Sequence, residues 1–301
     1  MKNIISFILF IIIIAATSCH SKLAPQQTLN QQTTDSKGNK NLLGRSTKEA
    51  LEKEPYNVWF NKNYADYIID TLTAEQLKPN LSGKNFTIFM GTWCGDSRRE
   101  VPRMFKILEY CGVPSSHIQL IMLNNVDSMY KQSPQHEERG INIHRVPDLL
   151  VYDKNKEMGR IVESPVVSLE KDLLSITNNE GYSPNYKAVS FLITIFNEKK
   201  ADDINTHLND YANAIKLLAK NSSELNTYGY VLMAAKEMDK AGIVFKCNTV
   251  LYPGDANVFD SMGEYYFKTG DKLLAKENYQ KTLQLEPGNE DAKKMLAQLE
   301  N

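Results

Sequence analysis

The strongest constraint on the fold of this chain is an internal repeat in its last third, where similar residues recur at an offset of 34 positions. A fixed period of about 20–50 residues is typical of helical solenoids, in which stacked helix pairs bury their apolar faces against each other. The repeat therefore predicts all-α structure in this region. The matched pairs are Gly229 and Gly263, Ala241 and Ala275, Phe245 and Tyr279, Pro253 and Pro287, and Leu225 and Phe259.

Helical spacing of apolar residues extends over the whole C-terminal part of the chain and predicts a helical domain over residues 183–301. Two apolar stretches, at 189–196 and 207–218, are interpreted as a degenerate first repeat, because Tyr211 lies 34 positions before Phe245. The remaining predicted parts are clear repeats at 222–255 and 256–289 and a capping helix at 289–300.

The second clear repeat resembles the tetratricopeptide repeat, in which small residues let two helices cross closely, aromatic residues fill the seam and a proline follows the second helix. The resemblance implies a concave surface that binds a peptide or a partner protein. The alternative is that so short an array only packs against the preceding domain. The residues that carry the resemblance are Phe259, Met262, Gly263, Tyr266, Gly270, Ala275, Tyr279 and Pro287.

A second constraint comes from residues 86–110, where an apolar strand leads into a cysteine and then into an amphipathic helix. Residues 86–90 are rich in strand formers, and residues 91–97 read Gly-Thr-Trp-Cys-Gly-Asp-Ser. Together with later apolar segments, this order predicts an α/β domain over residues 53–182. The later segments are strands at 118–123, 149–152 and 159–162 and a helix at 166–177.

The cysteine in this motif, Cys94, is placed where a thiolate is favoured. The start of a helix presents unpaired N–H groups and a partial positive charge, and Arg98 and Arg99 add cations in the first turn. The carboxylate of Asp96 opposes the thiolate, although the Asp96 or Ser97 side chain could instead cap the helix. The balance between these effects is left open by the sequence.

The α/β domain resembles the thioredoxin fold, because a Trp93-Cys94-Gly95 motif at a strand–helix junction is followed by Val146-Pro147 at the start of a later strand. The resemblance implies that Cys94 is the nucleophile and that Pro147 is cis and lies beside it. It also implies that Trp93, Gly95, Val146 and Pro147 shape a groove for a substrate peptide.

The sequence departs from the dithiol members of that family at one position, since Ser97 stands where Cys-x-x-Cys has its second cysteine. Cys111 cannot replace it, because 17 further residues of helix would place it about 25 Å from Cys94. Cys111 and Cys247 are therefore interpreted as packing residues. Ser97 and Asp96 are predicted to accompany Cys94 in the active site.

Two functions are consistent with these sequence features. The first is thiol–disulfide exchange or isomerisation by a single cysteine on client proteins or peptides, with the helical repeats recruiting the client or a partner. The second is a non-enzymatic scaffold or chaperone-like assembly protein. His144 is interpreted as a proton relay near the site or as an exposed loop residue. No cofactor and no metal are expected.

The N-terminus resembles that of a bacterial lipoprotein. A Lys at position 2 and an apolar run over residues 4–16 precede Ala-Thr-Ser-Cys, so residues 1–18 are predicted to be a signal peptide and Cys19 the lipidated residue. An ordinary secretory signal is the alternative. Residues 19–52 are polar and aperiodic and are predicted to be a flexible tether. These features predict a lipid-anchored envelope protein that faces the periplasm.

The overall charge excludes one class of partner. The chain has 35 Lys and Arg residues and 36 Asp and Glu residues, a net charge of −1. It therefore lacks the basic excess of nucleic-acid-binding proteins, and no nucleic-acid partner is expected.

Overall fold

A mixed β-sheet organises the first half of the structure, a computed structural model that describes residues 28–300. Within this part of the chain the strand order is β1-β2-β4-β3-β5-β6. β3 and β4 are parallel and all other neighbouring pairs are antiparallel. The strands are β1 (Gln31–Thr34), β2 (Lys40–Ser46), β3 (Lys84–Met90), β4 (Ile118–Met122), β5 (Asp148–Asp153) and β6 (Lys156–Val162).

Five helices accompany the sheet and bury an apolar core against it. α4 supplies Val101, Met104 and Leu108 to the core at helical spacing, and β3 supplies Phe86 and Ile88 from its buried face. The predicted α/β domain is confirmed at this level. The helices are α1 (Lys48–Leu51), α2 (Asn57–Asp66), α3 (Thr71–Leu81), α4 (Gly95–Tyr110) and α5 (Leu169–Thr177).

The predicted tether over residues 19–52 is wrong for residues 31–46, which form the β1–β2 hairpin, and for α1, whose Leu51 is fully buried in the core. β2 pairs with β4 along the sheet, Leu42 is buried, and the Leu42 amide donates to the Thr92 hydroxyl at 3.2 Å. Backbone hydrogen bonds, which do not depend on side-chain type, hold β2 in the sheet. The polar sequence of this segment therefore did not predict a strand. The signal peptide over residues 1–18 and Cys19 lie outside the described residues.

The second half is a helical region of eight helices among the described residues, which confirms the predicted all-α part of the chain. α13 agrees with the predicted capping helix. The helices are α6 (Lys187–Glu198), α7 (Ala201–Thr206), α8 (Leu208–Lys216), α9 (Ser222–Ala234), α10 (Met238–Leu251), α11 (Ala256–Thr269), α12 (Lys272–Leu285) and α13 (Glu290–Glu300).

The 34-residue offset corresponds to two successive helix pairs, α9 with α10 and α11 with α12. A Cβ at Gly229 would lie 2.6 Å from the ring of Phe245, and a Cβ at Gly263 would lie 2.9 Å from the ring of Tyr279. In each pair a glycine on the first helix therefore makes room for an aromatic ring of the second. None of the helices in the described part of the chain is long and apolar enough to cross a bilayer.

Candidate active site

Cys94 lies between the end of β3 and the first residue of α4, where it is the N-cap residue. Its side chain is half-buried, and Sγ donates to the carbonyl of Val146 at 3.3 Å. The Val146–Pro147 peptide bond is cis. The structure thus brings together two motifs that are 52 residues apart in the sequence. Both Val146 and Pro147 are buried, and the Val146 carbonyl makes the hydrogen bond to the thiol.

Trp93 is held rigidly beside the thiol. Its indole Nε1 donates to the carbonyl of Leu123 at 2.8 Å, and its ring packs so closely on Gly91 that no Cβ would fit there. Gly95, on the other side of Cys94, is exposed and faces open space. The residue before Cys94 is therefore packed into the protein, and the residue after it is exposed.

Ser97 and Asp96 are both close to Cys94 in the chain, but neither caps α4, since this helix has no side-chain cap. The Ser97 side chain is fully buried and its hydroxyl accepts from the Gly91 amide at 3.3 Å. Asp96 is paired with Arg99 at 2.8 Å. The possible capping roles are therefore not observed, and Ser97 instead braces the turn that precedes Cys94.

The side chains of the two arginines of the first turn, Arg98 and Arg99, contact groups other than the Cys94 thiol. Arg99 also pairs with Glu100 at 2.6 Å, and Arg98 donates to the carbonyl of Thr92 at 2.6 Å. The charge of Arg99 is therefore balanced by two carboxylates, whereas Arg98 contacts a neutral carbonyl.

Lys131 is a residue near the site that the sequence did not reveal. It is only 4% exposed, and its Nζ donates to the Tyr130 hydroxyl at 2.5 Å and lies 5.8 Å from the centre of the Trp93 ring. Burial, aided by the positive charge of Arg145, lowers the pKa of Lys131 to about 7, whereas the charges of Cys94 and Glu163 act in the opposite direction. This lysine lies in a polar segment without apolar periodicity, so no sequence pattern marked it as a site residue.

The backbone around Lys131 explains why it is held in place. The Lys131 amide donates to the Asn124 carbonyl, and the Asn124 amide donates to the Gln132 carbonyl, each at 2.9 Å. These two bonds close the loop that follows β4 and fix its end beside Trp93.

His144 lies in the joint between the α/β domain and the helical region. Its ring is buried and packs edge-on against Tyr186 and Tyr228, each at 5.8 Å between ring centres, and its Nδ1 donates to the Asn142 carbonyl. Burial is the main cause that lowers the pKa of His144 to about 3. The ring is therefore neutral near pH 7 and neither exposed nor equipped for a proton relay.

Arg145 is a second contact across that joint. One guanidinium nitrogen donates to the carbonyl of Ser223 on α9 at 2.9 Å, and the other lies 3.6 Å from the Glu163 carboxylate. The segment that carries Val146 is thereby attached directly to the helical region.

The two other cysteines in the described residues are held as neutral thiols. Cys111, the C-cap of α4, contacts the Ala74 carbonyl, and burial raises its pKa to about 11. Cys247 is fully buried inside α10, and burial raises its pKa to about 12. Cys94, Cys111 and Cys247 are all unpaired.

A cavity of about 900 Å³ opens between the helical region and the loop after β4. Tyr130 lines this cavity and also accepts the hydrogen bond from Lys131, so the cavity and the surroundings of Cys94 share a wall. Among residues 28–300 no cluster of three or more His, Cys, Asp or Glu side chains could hold a metal ion. Other lining residues are Asp127, Tyr230, Met233, Glu264 and Lys268.

Comparison with protein-family models and with curated proteins finds no match to this chain.

Proposed function

We propose that the α/β domain is a thioredoxin-like domain and that the helical region is a tetratricopeptide-type repeat domain. The parallel pair β3–β4, followed by the antiparallel strands β5 and β6, supports the first identity, together with a cysteine at the β3–α4 junction. The second identity is supported by the two helix pairs related by 34 residues and by their matched glycine–aromatic contacts.

On this basis Cys94 carries out thiol–disulfide exchange on client proteins. The Cys94 thiolate attacks one sulfur of a client disulfide, a Cys94–client S–S bond forms, and the other client sulfur leaves as a thiolate that takes a proton from water. A thiolate of the same client then attacks the mixed disulfide and releases Cys94. The cycle rearranges client disulfides with no net oxidation, so it needs no external reductant.

The observation that carries this proposal is the difference in environment between Cys94 and the other cysteines. Of the three cysteines among residues 28–300, only Cys94 stands at a helix start beside exposed Gly95, whereas burial keeps Cys111 and Cys247 protonated. When the mixed disulfide forms, Sγ gives up its contact with the Val146 carbonyl, which then becomes a free acceptor for a client backbone N–H.

The helical region recruits the client, and the N-terminus determines where the protein is located. The cavity beside Tyr130 supports a role for the helical region in holding the client segment next to Cys94. An N-terminal signal over residues 1–18 and a lipid on Cys19 would anchor the protein in the bacterial envelope, facing the periplasm.

The experiment that tests the proposal is the recovery of native disulfides in a scrambled model protein, with the full chain as catalyst. Cys94→Ser is expected to abolish the acceleration, and Cys111→Ser is the matched control that keeps it. A mixed disulfide on Cys94 should be detected by mass spectrometry under non-reducing conditions.

The same cavity supports the alternative, a scaffold that binds a protein segment without thiol chemistry. If wild type and Cys94→Ser give the same rate of disulfide recovery, the exchange function is wrong. A client segment that then binds Cys94→Ser as tightly as wild type would favour the scaffold.

A further inference from the structure

Lys131 is a buried cation near Cys94 that forms no ion pair with an acidic side chain among the described residues. Among residues 28–300 no carboxylate forms an ion pair with its Nζ; the acid that acts on it, Glu163, is paired instead with Arg145. The cation is held by the Tyr130 hydroxyl and by two aromatic rings, 4.0 Å from the centre of Tyr130 and 5.8 Å from that of Trp93. A buried ammonium with only neutral partners is costly, and an anion close by would offset that cost.

Trp93 connects the position of Lys131 to that of the Cys94 thiol. The ring of Trp93, the residue before Cys94, faces the Lys131 ammonium, and the charges of Lys131 and Cys94 interact. Among the other cations around the thiol, Arg99 is paired with Asp96 and Arg145 with Glu163, whereas Arg98 is more exposed than Lys131 and donates to the Thr92 carbonyl. Lys131 therefore contributes a positive charge beside Trp93 that no carboxylate neutralises by an ion pair among the described residues.

We propose that Lys131 attracts anions to Cys94, so that the site prefers client disulfides flanked by acidic residues. This inference rests on the exchange function proposed above and names its substrate class. Because Lys131 is only 4% exposed, its ammonium would act on a carboxylate next to the client cysteine through its electrostatic field, and not by direct contact, when the client sulfur meets Sγ. Lys131 is a specificity-determining residue in this arrangement, and Cys94 alone forms and breaks bonds.

The charge state of Lys131 makes the preference depend on pH. Because its pKa lies near 7, the ammonium is present at pH 6 and largely lost by pH 8.5. The groups that face it are the Cys94 thiol at the start of α4, Tyr130 in its own loop, His144 and Arg145 before β5, and Glu163 after β6. His144 is neutral over this range, and the charge of Arg145 does not change.

The first experiment measures the alkylation of Cys94 by iodoacetate, an anion, and by iodoacetamide, which is neutral, from pH 6 to 8.5. The thiolate displaces iodide from both reagents, so the ratio of the two rates cancels the fraction of thiolate and reports the local charge. In wild type we expect a ratio that is about threefold or more higher at pH 6 than at pH 8.5. In Lys131→Met, which keeps the apolar stem, the ratio should be low and independent of pH.

Two further variants keep the test decisive. Lys131→Arg should hold a high ratio over the whole range, because its charge is not lost, and it replaces Lys131→Met if that variant does not fold. Lys156→Met, an exposed lysine in β6, should behave as wild type. A wild-type ratio that is flat with pH, or equal to that of Lys131→Met, overturns the proposal.

The second experiment compares exchange with two synthetic peptides that each carry a chromophoric disulfide, one flanked by Asp and one by Lys. We expect the Asp-flanked peptide to react about threefold or more faster with wild type and equally fast with Lys131→Met. Equal rates with wild type contradict the acidic preference but leave the exchange function intact. If neither peptide reacts, the exchange function fails, and the alkylation ratio still decides the role of Lys131.

Discussion

The α/β domain and the helical region each place a cysteine on a helix, and they treat it in opposite ways. Cys94 stands at the first turn of α4, half-exposed, with Lys131 and the Val146 carbonyl around it. Cys247 is enclosed within α10 among apolar side chains. Position in the fold, rather than residue type or helix membership, therefore decides whether a thiol is available for chemistry.

The largest expected effect is the difference in labelling between these cysteines. At pH 8 in the native protein, iodoacetamide should modify Cys94 at least about a hundredfold faster than Cys111 or Cys247. Their pKa values are raised to about 11 and about 12, so both are neutral thiols below those values. Mass spectrometry of the separate peptides measures each rate, and denaturant should equalise them. Comparable labelling in the native protein would break the contrast.

A second prediction concerns the serine that stands in place of a second cysteine. Ser97→Cys places a thiol one helical turn from Cys94, where it can attack a mixed disulfide internally. The lifetime of a Cys94 mixed disulfide, followed on non-reducing gels, should fall by at least about tenfold. Ser97→Ala is the control and should keep the long lifetime. An unchanged lifetime in Ser97→Cys would mean that the buried position is unable to reach Cys94.

A third prediction addresses the joint between the two regions. Because the pKa of His144 is lowered from 6.5 to about 3 on folding, the unfolded state binds a proton below pH 6.5 and the folded state does not. The free energy of unfolding therefore falls as the pH drops from 6.5 towards 3, by about 1.4 kcal/mol per unit from this group. His144→Phe keeps an aromatic ring between the tyrosines and should remove that dependence.

The measurement for His144→Phe is urea denaturation at pH 8 and pH 5. At pH 8 wild type and variant differ only in packing, which provides the internal reference. Between pH 8 and pH 5 the variant should lose about 2 kcal/mol less than wild type. Parallel losses would show that His144 accepts a proton without disturbing the joint.

A fourth prediction concerns the helical region. Gly229→Ala would bring a methyl group to 2.6 Å from the Phe245 ring, so the ring or the helices must move. We expect the free energy of unfolding to fall by about 1–3 kcal/mol, measured by urea denaturation. Gly254→Ala is the matched control, because a Cβ there meets nothing within 4 Å. Equal effects at the two positions would indicate that close helix crossing does not stabilise this region.

Much of the fold was readable from periodicity. The strand at 86–90 and the helix after it, the later strands, the helical second half and the capping helix were all predicted within a few residues, because each buries an apolar face with a regular spacing. The β1–β2 hairpin was not predicted, because backbone hydrogen bonds between β2 and β4 hold it and its side chains show no clear apolar pattern.

The candidate site likewise has features that local sequence predicted and features that it did not. Local sequence determined the strand, turn and helix that place Cys94 at a helix start, because apolar runs, a glycine turn and helical spacing act over neighbouring residues. Only the tertiary structure decided that the Val146 carbonyl meets Sγ, that His144 is buried between two tyrosines and that Lys131 lies beside Trp93. Burial and charge at these positions depend on which distant segments pack together, and no local pattern encodes that.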